Sequence, residues 1–282
     1  MTVRALAAEL SRNIESFRSH LNAAGVLIDA GAVAIVGIAV LACADRPVFM
    51  LFLVSAVFGL RFFLWRLWVR RNKSHSMAAE IVFVACCAAI GAFNDWNSVD
   101  GHGVYHYRAA LLFPWISTIP FWMLLYWGLI LRFLASLLNV RKFFLTGPTQ
   151  GGGLFKRAAF AGILVLLTRQ AIYRFYADPW MSWLPFAAAL LGALTFYRPG
   201  PLKIVILSVM TAMAVGTEIL FIQTAGLHEY YLGVIGGAPV WIMLWWFLAF
   251  IVWGDLSVSL LGLIRIAGQK FRTLGASQPR IP

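Results

Sequence analysis

The stretches Asp95–Trp127 (DWNSVDGHGVYHYRAALLFPWISTIPFWMLLYW) and Glu218–Trp246 (EILFIQTAGLHEYYLGVIGGAPVWIMLWW) read as two copies of one pattern. Each begins with a carboxylate at the end of an apolar segment, passes through a short turn with Gly and Tyr, and reaches a Trp-rich segment after a Pro. From Asp95 to Tyr107, the matching residue lies 123 positions later. Because duplicated halves of a membrane protein bring matching positions to one interface, the pattern predicts that the two carboxylates lie close together.

The composition places these copies in a membrane protein. Of the 282 residues, 61% are hydrophobic and 12% are charged, whereas about a quarter of a soluble domain is charged. The apolar runs reach the roughly 20 residues that a membrane-crossing helix needs. We therefore predict an all-α, polytopic integral membrane protein with about eight transmembrane helices in two parallel four-helix repeats. The predicted spans are Gly25–Ala44, Pro47–Trp65, Met77–Asn94, Ala110–Leu138, Ala158–Phe175, Trp180–Tyr197, Leu202–Gln223 and Ile235–Ile264.

The same reading divides the chain into five parts. Residues 1–24 are polar and amphipathic, which is typical of a helix lying at the membrane interface. Residues 25–140 and 158–266 form the first and second four-helix repeats. The linker between them, 141–157, is rich in Gly and Pro, which favour loops. Residues 267–282 form a basic cytoplasmic tail.

The basic residues predict the orientation. The chain carries 23 Lys and Arg against 11 Asp and Glu, a net charge of +12. In so apolar a chain we attribute this excess to cytoplasmic loops, which carry more Lys and Arg than outer loops, and not to nucleic-acid binding. With both termini in the cytoplasm, only Arg46, Arg108, Arg169 and Arg174 fall in the outer half or beyond it. We therefore predict a multi-pass protein of the cell inner (plasma) membrane with no nucleic-acid partner.

Asp95 and Glu218 are the predicted catalytic residues, each where an apolar span meets the outer surface. Burial disfavours the charged form of a carboxyl group, which can then hold a proton and act as a general acid. The alternative is a pair of helix-end carboxylates exposed to water.

Arg169 lies inside the fifth span, where an Arg needs a partner or a cavity. We predict an ion pair with Glu218; the alternative is a side chain that extends to the outer head groups.

Aromatic residues crowd the outer half of both copies. Two interpretations are open: an aromatic belt at the membrane interface, or a groove that binds a long apolar or polyene ligand, where aromatic faces would also stabilise a carbocation. On the second interpretation the substrate-binding residues are Tyr105, Tyr107, Tyr230, Trp122, Trp127, Trp241 and Trp245.

The histidines offer a weak alternative site. His102, His106 and His228 lie near carboxylates in the two copies, and together they could bind a metal ion. However, His102 and His106 flank Gly103 in a predicted loop, and no HExxH motif is present. We therefore predict loop histidines and no metal.

The second copy resembles a family of carotenoid biosynthesis membrane proteins that hydrate a terminal isoprenoid double bond. In that family a Glu precedes a Thr- and Gly-rich turn with a Tyr-x-Tyr, followed by Gly-Val-Pro and a Trp-bearing helix. The matching positions here are Glu218, Thr224, Gly226, Tyr230, Tyr231, Gly237, Pro239, Trp241, Trp245 and Trp246. The likeness covers about 30 residues per copy. It departs at Leu227-His228-Glu229, where the family has Phe-Gly, and it is poorer in the first copy.

The resemblance implies acid-catalysed hydration without a cofactor. A neutral carboxylic acid, Asp95 or Glu218, would protonate a terminal alkene carbon, and the second carboxylate would take a proton from the water that captures the cation. The first functional hypothesis is therefore a membrane-embedded, cofactor-independent hydratase or lyase acting on a long apolar lipid, isoprenoid or carotenoid. Two alternatives stay open: a non-catalytic subunit or assembly factor of a larger membrane complex, with membrane-protein partners, and a small-molecule transporter. In each case the lipid bilayer is a partner.

Overall fold

A computed structural model describes residues 23–69, 76–139 and 151–276 of the chain. The described part consists of eight α-helices, one short π-helical turn and two short strands. The helices are α1 Ala23–Cys43, α2 Pro47–Val69, α3 Met77–Trp96, α4 Phe121–Asn139, α5 Gly151–Phe175, α6 Leu184–Tyr197, α7 Pro201–Gln223 and α8 Val240–Ala276. The π-helical turn Asn97–Gly101 follows α3, and the strands are β1 Tyr105–Tyr107 and β2 His228–Tyr230.

Seven of the described helices are long and apolar enough to cross a membrane. The exception is α6, which has 14 residues. At 1.5 Å per residue it reaches about 21 Å, less than the roughly 30 Å of a hydrocarbon core. The prediction of an all-α, multi-pass membrane protein is confirmed. Among the described helices, seven have the length that a crossing requires, whereas about eight were predicted.

Several predicted boundaries differ from those of the structure. The fourth span was expected at Ala110–Leu138, but α4 begins only at Phe121, and 108–120 is irregular. Pro114 and Pro120 lie in this segment, and a Pro inside a helix removes a backbone hydrogen bond and clashes with the preceding turn. The shorter helix leaves a loop long enough to cover the end of the bundle.

The predicted linker and tail are also partly helical. Helix α5 begins at Gly151, inside the predicted linker 141–157, and α8 continues to Ala276, well into the predicted tail 267–282. The predicted interfacial helix 1–24 lies outside the described residues except for its last two positions.

Two helices are central to the packing. Helix α4 contacts α1, α2 and α3, and α8 contacts α5, α6 and α7. The central helices also contact each other. The last helix of each predicted half therefore forms the centre of that half, and the pair joins the two halves along their length.

A cluster of buried charges fixes the first four helices at one end of the bundle. Asp29, Arg61, Glu80 and Arg132 come from α1, α2, α3 and α4 in turn, and each is at most 3% exposed. Two carboxylates and two guanidinium groups balance in charge, which is the arrangement that an apolar interior tolerates. Sequence reasoning missed this cluster because its members are separated by long apolar stretches.

The geometry of the cluster is a closed ring. Arg61 donates to Asp29 at 2.9 Å and to Glu80 at 2.5 Å. Arg132 donates to Glu80 at 2.7 Å and to Asp29 at 3.1 Å. The hydroxyl of Ser136 also donates to Asp29, at 2.6 Å. Each carboxylate thus contacts both cations, so that removing any one charge leaves another charge uncompensated.

We expect Glu80→Gln to lower the free energy of unfolding by about 3–5 kcal/mol, because removal of one partner leaves a buried charge unpaired. The measurement is equilibrium unfolding of the purified protein in detergent micelles. The matched control is Asp45→Asn at an exposed position between α1 and α2, which should change stability by less than about 0.5 kcal/mol. Equal effects of the two substitutions would show that the cluster does not stabilise the fold.

Candidate functional site

The candidate site begins with Asp95, the second-last residue of α3. Its carboxylate is fully buried and accepts three hydrogen bonds. The hydroxyls of Tyr105 and Tyr107 donate at 2.5 and 2.7 Å, and the indole N–H of Trp127 donates at 2.7 Å. Among the described residues, no basic side chain lies within salt-bridge distance of Asp95. Hydrogen-bond donors, and not a counter-ion, therefore satisfy this carboxylate.

A close approach of two helices brings Trp127 to this carboxylate. Gly91 lies one turn before Asp95 on α3, and a Cβ at that position would lie 2.4 Å from the Cβ of Trp127 on α4. Only a residue without a side chain permits this contact. Small residues have this role in membrane helix interfaces because they let backbones approach closely.

Glu218 on α7 is bound in a similar way. The hydroxyl of Tyr230 donates to it at 2.5 Å, and Nε2 of His228 lies 3.0 Å from the same oxygen. In both copies the partners follow the carboxylate by ten and twelve residues. The position that matches Trp127 is Trp246. Its ring stacks on that of Trp127 with centroids 6.5 Å apart, but within the described part of the chain its buried indole nitrogen has no hydrogen-bond partner.

The turns that deliver these partners share one backbone geometry. Gly103 has φ +62° and Gly226 has φ +57°, a left-handed conformation that favours glycine. The residue after each glycine donates its backbone N–H back to the helix. Val104 donates to the carbonyl of Ser98 at 2.8 Å, and Leu227 to that of Phe221 at 3.0 Å.

Beyond the turns, β1 and β2 pair as antiparallel strands. Tyr105 lies opposite Tyr230, His106 opposite Glu229, and Tyr107 opposite His228. The pairing therefore interleaves the donors of one carboxylate with those of the other.

Aromatic rings fill the space between the two carboxylates. Tyr105 contacts Tyr230 with ring centroids 5.0 Å apart, and His228 lies 5.7 Å from Tyr105 and 5.8 Å from Tyr107. Burial, followed by the charge of the neighbouring carboxylate, raises the pKa of Tyr105 and of Tyr230 well above the ordinary value for tyrosine. Both phenols therefore keep their protons and act as donors at neutral pH.

A largely apolar cavity of about 420 Å³ opens beside these groups. Asp95, Glu218 and Arg169 line it together. Six of the seven aromatic residues predicted to bind substrate also line it: Tyr105, Tyr107, Tyr230, Trp127, Trp241 and Trp245. Trp122, the seventh, is only 1% exposed and packs in the hydrophobic core, outside the cavity lining.

The predicted ion pair between Arg169 and Glu218 is not formed. Arg169 lies in the same cavity, yet in the described part of the chain no carboxylate lies within 4.0 Å of it, and Glu218 is bound by His228 and Tyr230. The guanidinium instead lies over the ring of Trp245, 4.0 Å from its centroid. The physical reason is that the turn after α7 supplies Glu218 with closer donors.

The three histidines of the weak metal alternative have separate partners. His102 stacks on Tyr173 with centroids 4.1 Å apart, and His106 lies 3.3 Å from Glu229. His228 contacts Glu218. Within the described ranges, no group of three or more His, Cys, Asp or Glu is arranged to bind a metal ion. Sequence reasoning missed the role of His228 as a partner of Glu218, although the constant offset aligns it with Tyr105.

The arrangement places two carboxyl groups, several phenols and one guanidinium around an apolar space. Carboxyl groups in such a place can exchange protons with a bound molecule, and aromatic faces can stabilise a positive charge. Comparison with family models, with curated proteins and with solved structures gives no match for this chain.

We expect Gly226→Ala to destabilise the protein by about 1–2 kcal/mol, because an L-residue is strained in the left-handed conformation. Nothing lies within 4 Å of the added Cβ. A loss of stability would therefore come from backbone strain in the turn and not from a steric clash. Gly216→Ala on α7 is the matched control, since its Cβ also meets nothing within 4 Å and its backbone is helical. Thermal unfolding in detergent measures both, and a Gly226→Ala protein as stable as the control would contradict the strained turn.

Proposed function

We propose that this protein is a membrane-embedded enzyme that binds a long apolar lipid or isoprenoid and transfers protons to and from it through Asp95 and Glu218. One observation carries the proposal: the fully buried carboxyl group of Asp95 and the mostly buried one of Glu218, which is 15% exposed, line one largely apolar cavity, each with its own set of hydrogen-bond donors. A buried polar group in a bilayer has a high energetic cost and usually marks a functional site. A cavity of this size falls in the range of about 300–1,000 Å³ typical of ligand sites.

The reaction proposed is the addition of water to a carbon–carbon double bond. In the reacting state Asp95 is the neutral acid, since no basic side chain among the described residues pairs with its charged form. It donates its proton to one alkene carbon, and the π electrons form the new C–H bond. The adjacent carbon becomes a tertiary cation. A water molecule binds the cation through oxygen and loses a proton to Glu218, which leaves an alcohol. Asp95 then regains a proton from water at the outer side, and the proton on Glu218 leaves to the same water through His228. The net change is one water added to the double bond, and no redox cofactor is required.

The surrounding side chains have distinct roles in this reaction. The rings of Trp241 and Tyr230, which pack edge to face with centroids 5.6 Å apart, lie beside the cation and lower its energy. His228, 3.0 Å from Glu218, accepts the proton that Glu218 gains and passes it on. The carotenoid hydratase resemblance supports the same assignment, because its Glu and Tyr positions correspond to Glu218 and Tyr230.

We further propose that the chain is a tandem repeat with eight membrane crossings, α6 being the shortest. Four pairs of matching features support it: the carboxylates, the spacing of their donors, the glycine turns and the central helices α4 and α8. The antiparallel pairing of β1 with β2 supports a twofold axis through the His106–Glu229 pair, parallel to the membrane normal. The repeats extend over 25–140 and 158–266.

The distribution of basic residues supports an inner-membrane protein with both termini in the cytoplasm. In that orientation the turns after α3 and α7 face outward, and water reaches the carboxylates from the outer side. The partners of the protein are then the bilayer and the apolar substrate.

We expect Asp95→Asn and Glu218→Gln each to lower turnover by at least about 100-fold, since general acid–base catalysis contributes 10²–10⁴. The assay is incubation of purified protein with an isoprenoid lipid extract in ¹⁸O-labelled water, followed by mass spectrometry for lipids that have gained one labelled water. Both variants should remain extractable and unfold cooperatively, because amide groups also accept hydrogen bonds.

Glu229→Gln is the matched control for this experiment. Glu229 lies in the same turn as the donors of Glu218, but it is 47% exposed and pairs at the surface with Arg108. It should keep wild-type turnover. Wild-type rates from both Asp95→Asn and Glu218→Gln would contradict the proposed chemistry.

A further inference from the structure

Arg169 is a buried cation that the proposed reaction does not use. Its side chain is 7% exposed and lines the cavity together with Asp95 and Glu218. Among the described residues it has no carboxylate within 4.0 Å and no hydrogen bond from Nε. An arginine inside a bilayer normally pairs with another group, so that the buried Nε–H of this guanidinium lacks the partner that its environment requires.

One aromatic ring supports the guanidinium of Arg169, since the centroid of the Trp245 ring lies 4.0 Å from the guanidinium carbon. Within the described residues, the buried Nε of Arg169 has no hydrogen-bond partner. A guanidinium is planar and binds a carboxylate or a phosphate through two parallel hydrogen bonds.

The rest of the cavity suits an apolar chain. Trp127 lies near the carboxylates, and Phe133 and Leu137 line the cavity farther along α4. At 1.5 Å per residue, Trp127 and Leu137 are about 15 Å apart along the helix axis. Met210 and Met213 of α7 line the same space, and methionine adapts to irregular apolar ligands. The charged groups therefore lie at one end of an elongated apolar space.

Charge balance favours an anion at this position. In the proposed reaction a carbocation forms in the same cavity as Arg169, and two positive charges in an apolar space repel each other strongly. An anion bound to Arg169 removes this repulsion and gives the buried Nε–H an acceptor at the same time.

We propose that Arg169 binds the anionic head group, a phosphate or a carboxylate, of an amphiphilic lipid whose tail lies along Phe133, Leu137 and Met210. This inference rests on the proposed function, because it assigns the class of substrate for the same cavity. The head group and the carboxyl groups lie at one end, so that the double bond nearest the head group is the one presented to Asp95.

The test is equilibrium binding of radiolabelled farnesyl phosphate and of farnesol to the purified full-length protein in a neutral detergent. Farnesol has the same tail without the anion. The wild-type protein should bind farnesyl phosphate at least about 10-fold more tightly than farnesol, and Arg169→Gln should weaken farnesyl phosphate binding by about 10- to 100-fold while farnesol binding stays unchanged. Arg169→Lys should restore part of the loss, because it keeps the charge but not the planar geometry.

Arg174→Gln is the matched control, since Arg174 lies on the same helix at an exposed position and should leave both affinities unchanged. Inorganic phosphate distinguishes a lipid head group from a free anion. If it displaces farnesyl phosphate at equal concentration, the tail contributes nothing and the proposal is overturned. Equal affinities of the wild-type protein for farnesyl phosphate and farnesol would also overturn it, and this comparison needs no variant.

The outcome separates this inference from the proposed function. Turnover that depends on Asp95, together with no preference for the anionic lipid, refutes the role of Arg169 alone. Binding of farnesyl phosphate that depends on Arg169, together with wild-type turnover in Asp95→Asn and Glu218→Gln, refutes the proposed chemistry and keeps the binding site.

Discussion

The structure depends on a constraint that the bilayer imposes: a buried carboxylate must receive hydrogen bonds from the protein itself, because no lipid tail can donate one. Asp95 and Glu218 meet this constraint with donors that lie ten and twelve residues farther along the chain. The separation along the chain between each carboxylate and its donors sets the length of the turn. Each turn also requires a glycine with positive φ. Strand pairing, ring contacts and the cavity wall all follow from the return of the chain to its own carboxylate.

Much of this site could be predicted, because it is local. Each stretch is short and contains the carboxylate, the glycine and the tyrosines of the site. The constant offset between the two stretches can be read from the amino-acid sequence. The partner of Glu218 could have been found in the same way, since His228 occupies the position of Tyr105. Trp122 shows the limit of this reasoning, because a sequence shows that a helix carries Trp residues but not which of them faces the cavity.

What could not be predicted depends on contacts between distant segments. The ring formed by Asp29, Arg61, Glu80 and Arg132 needs the relative rotation of four helices, and each member taken alone resembles a charge near a helix end. The unpaired state of Arg169 is also non-local, because it follows from the donors that Glu218 finds in its own turn. The predicted start of α4 was wrong because the residues before Phe121 are as apolar as a membrane helix. The two prolines among them, Pro114 and Pro120, keep this segment irregular.

The pairing of β1 with β2 has an evolutionary consequence. Its register centres on His106 opposite Glu229, and under the proposed repeat these are equivalent positions, so that the strand is complementary to a copy of itself. Self-complementarity is the property of a symmetric dimer interface. Under the same proposal, an ancestral chain of half this length would have formed a homodimer that already contained both carboxyl groups. Gene fusion would then have allowed each half to change alone. The indole of Trp246 fits such a change, because it has no acceptor among the described residues whereas that of Trp127 donates to Asp95.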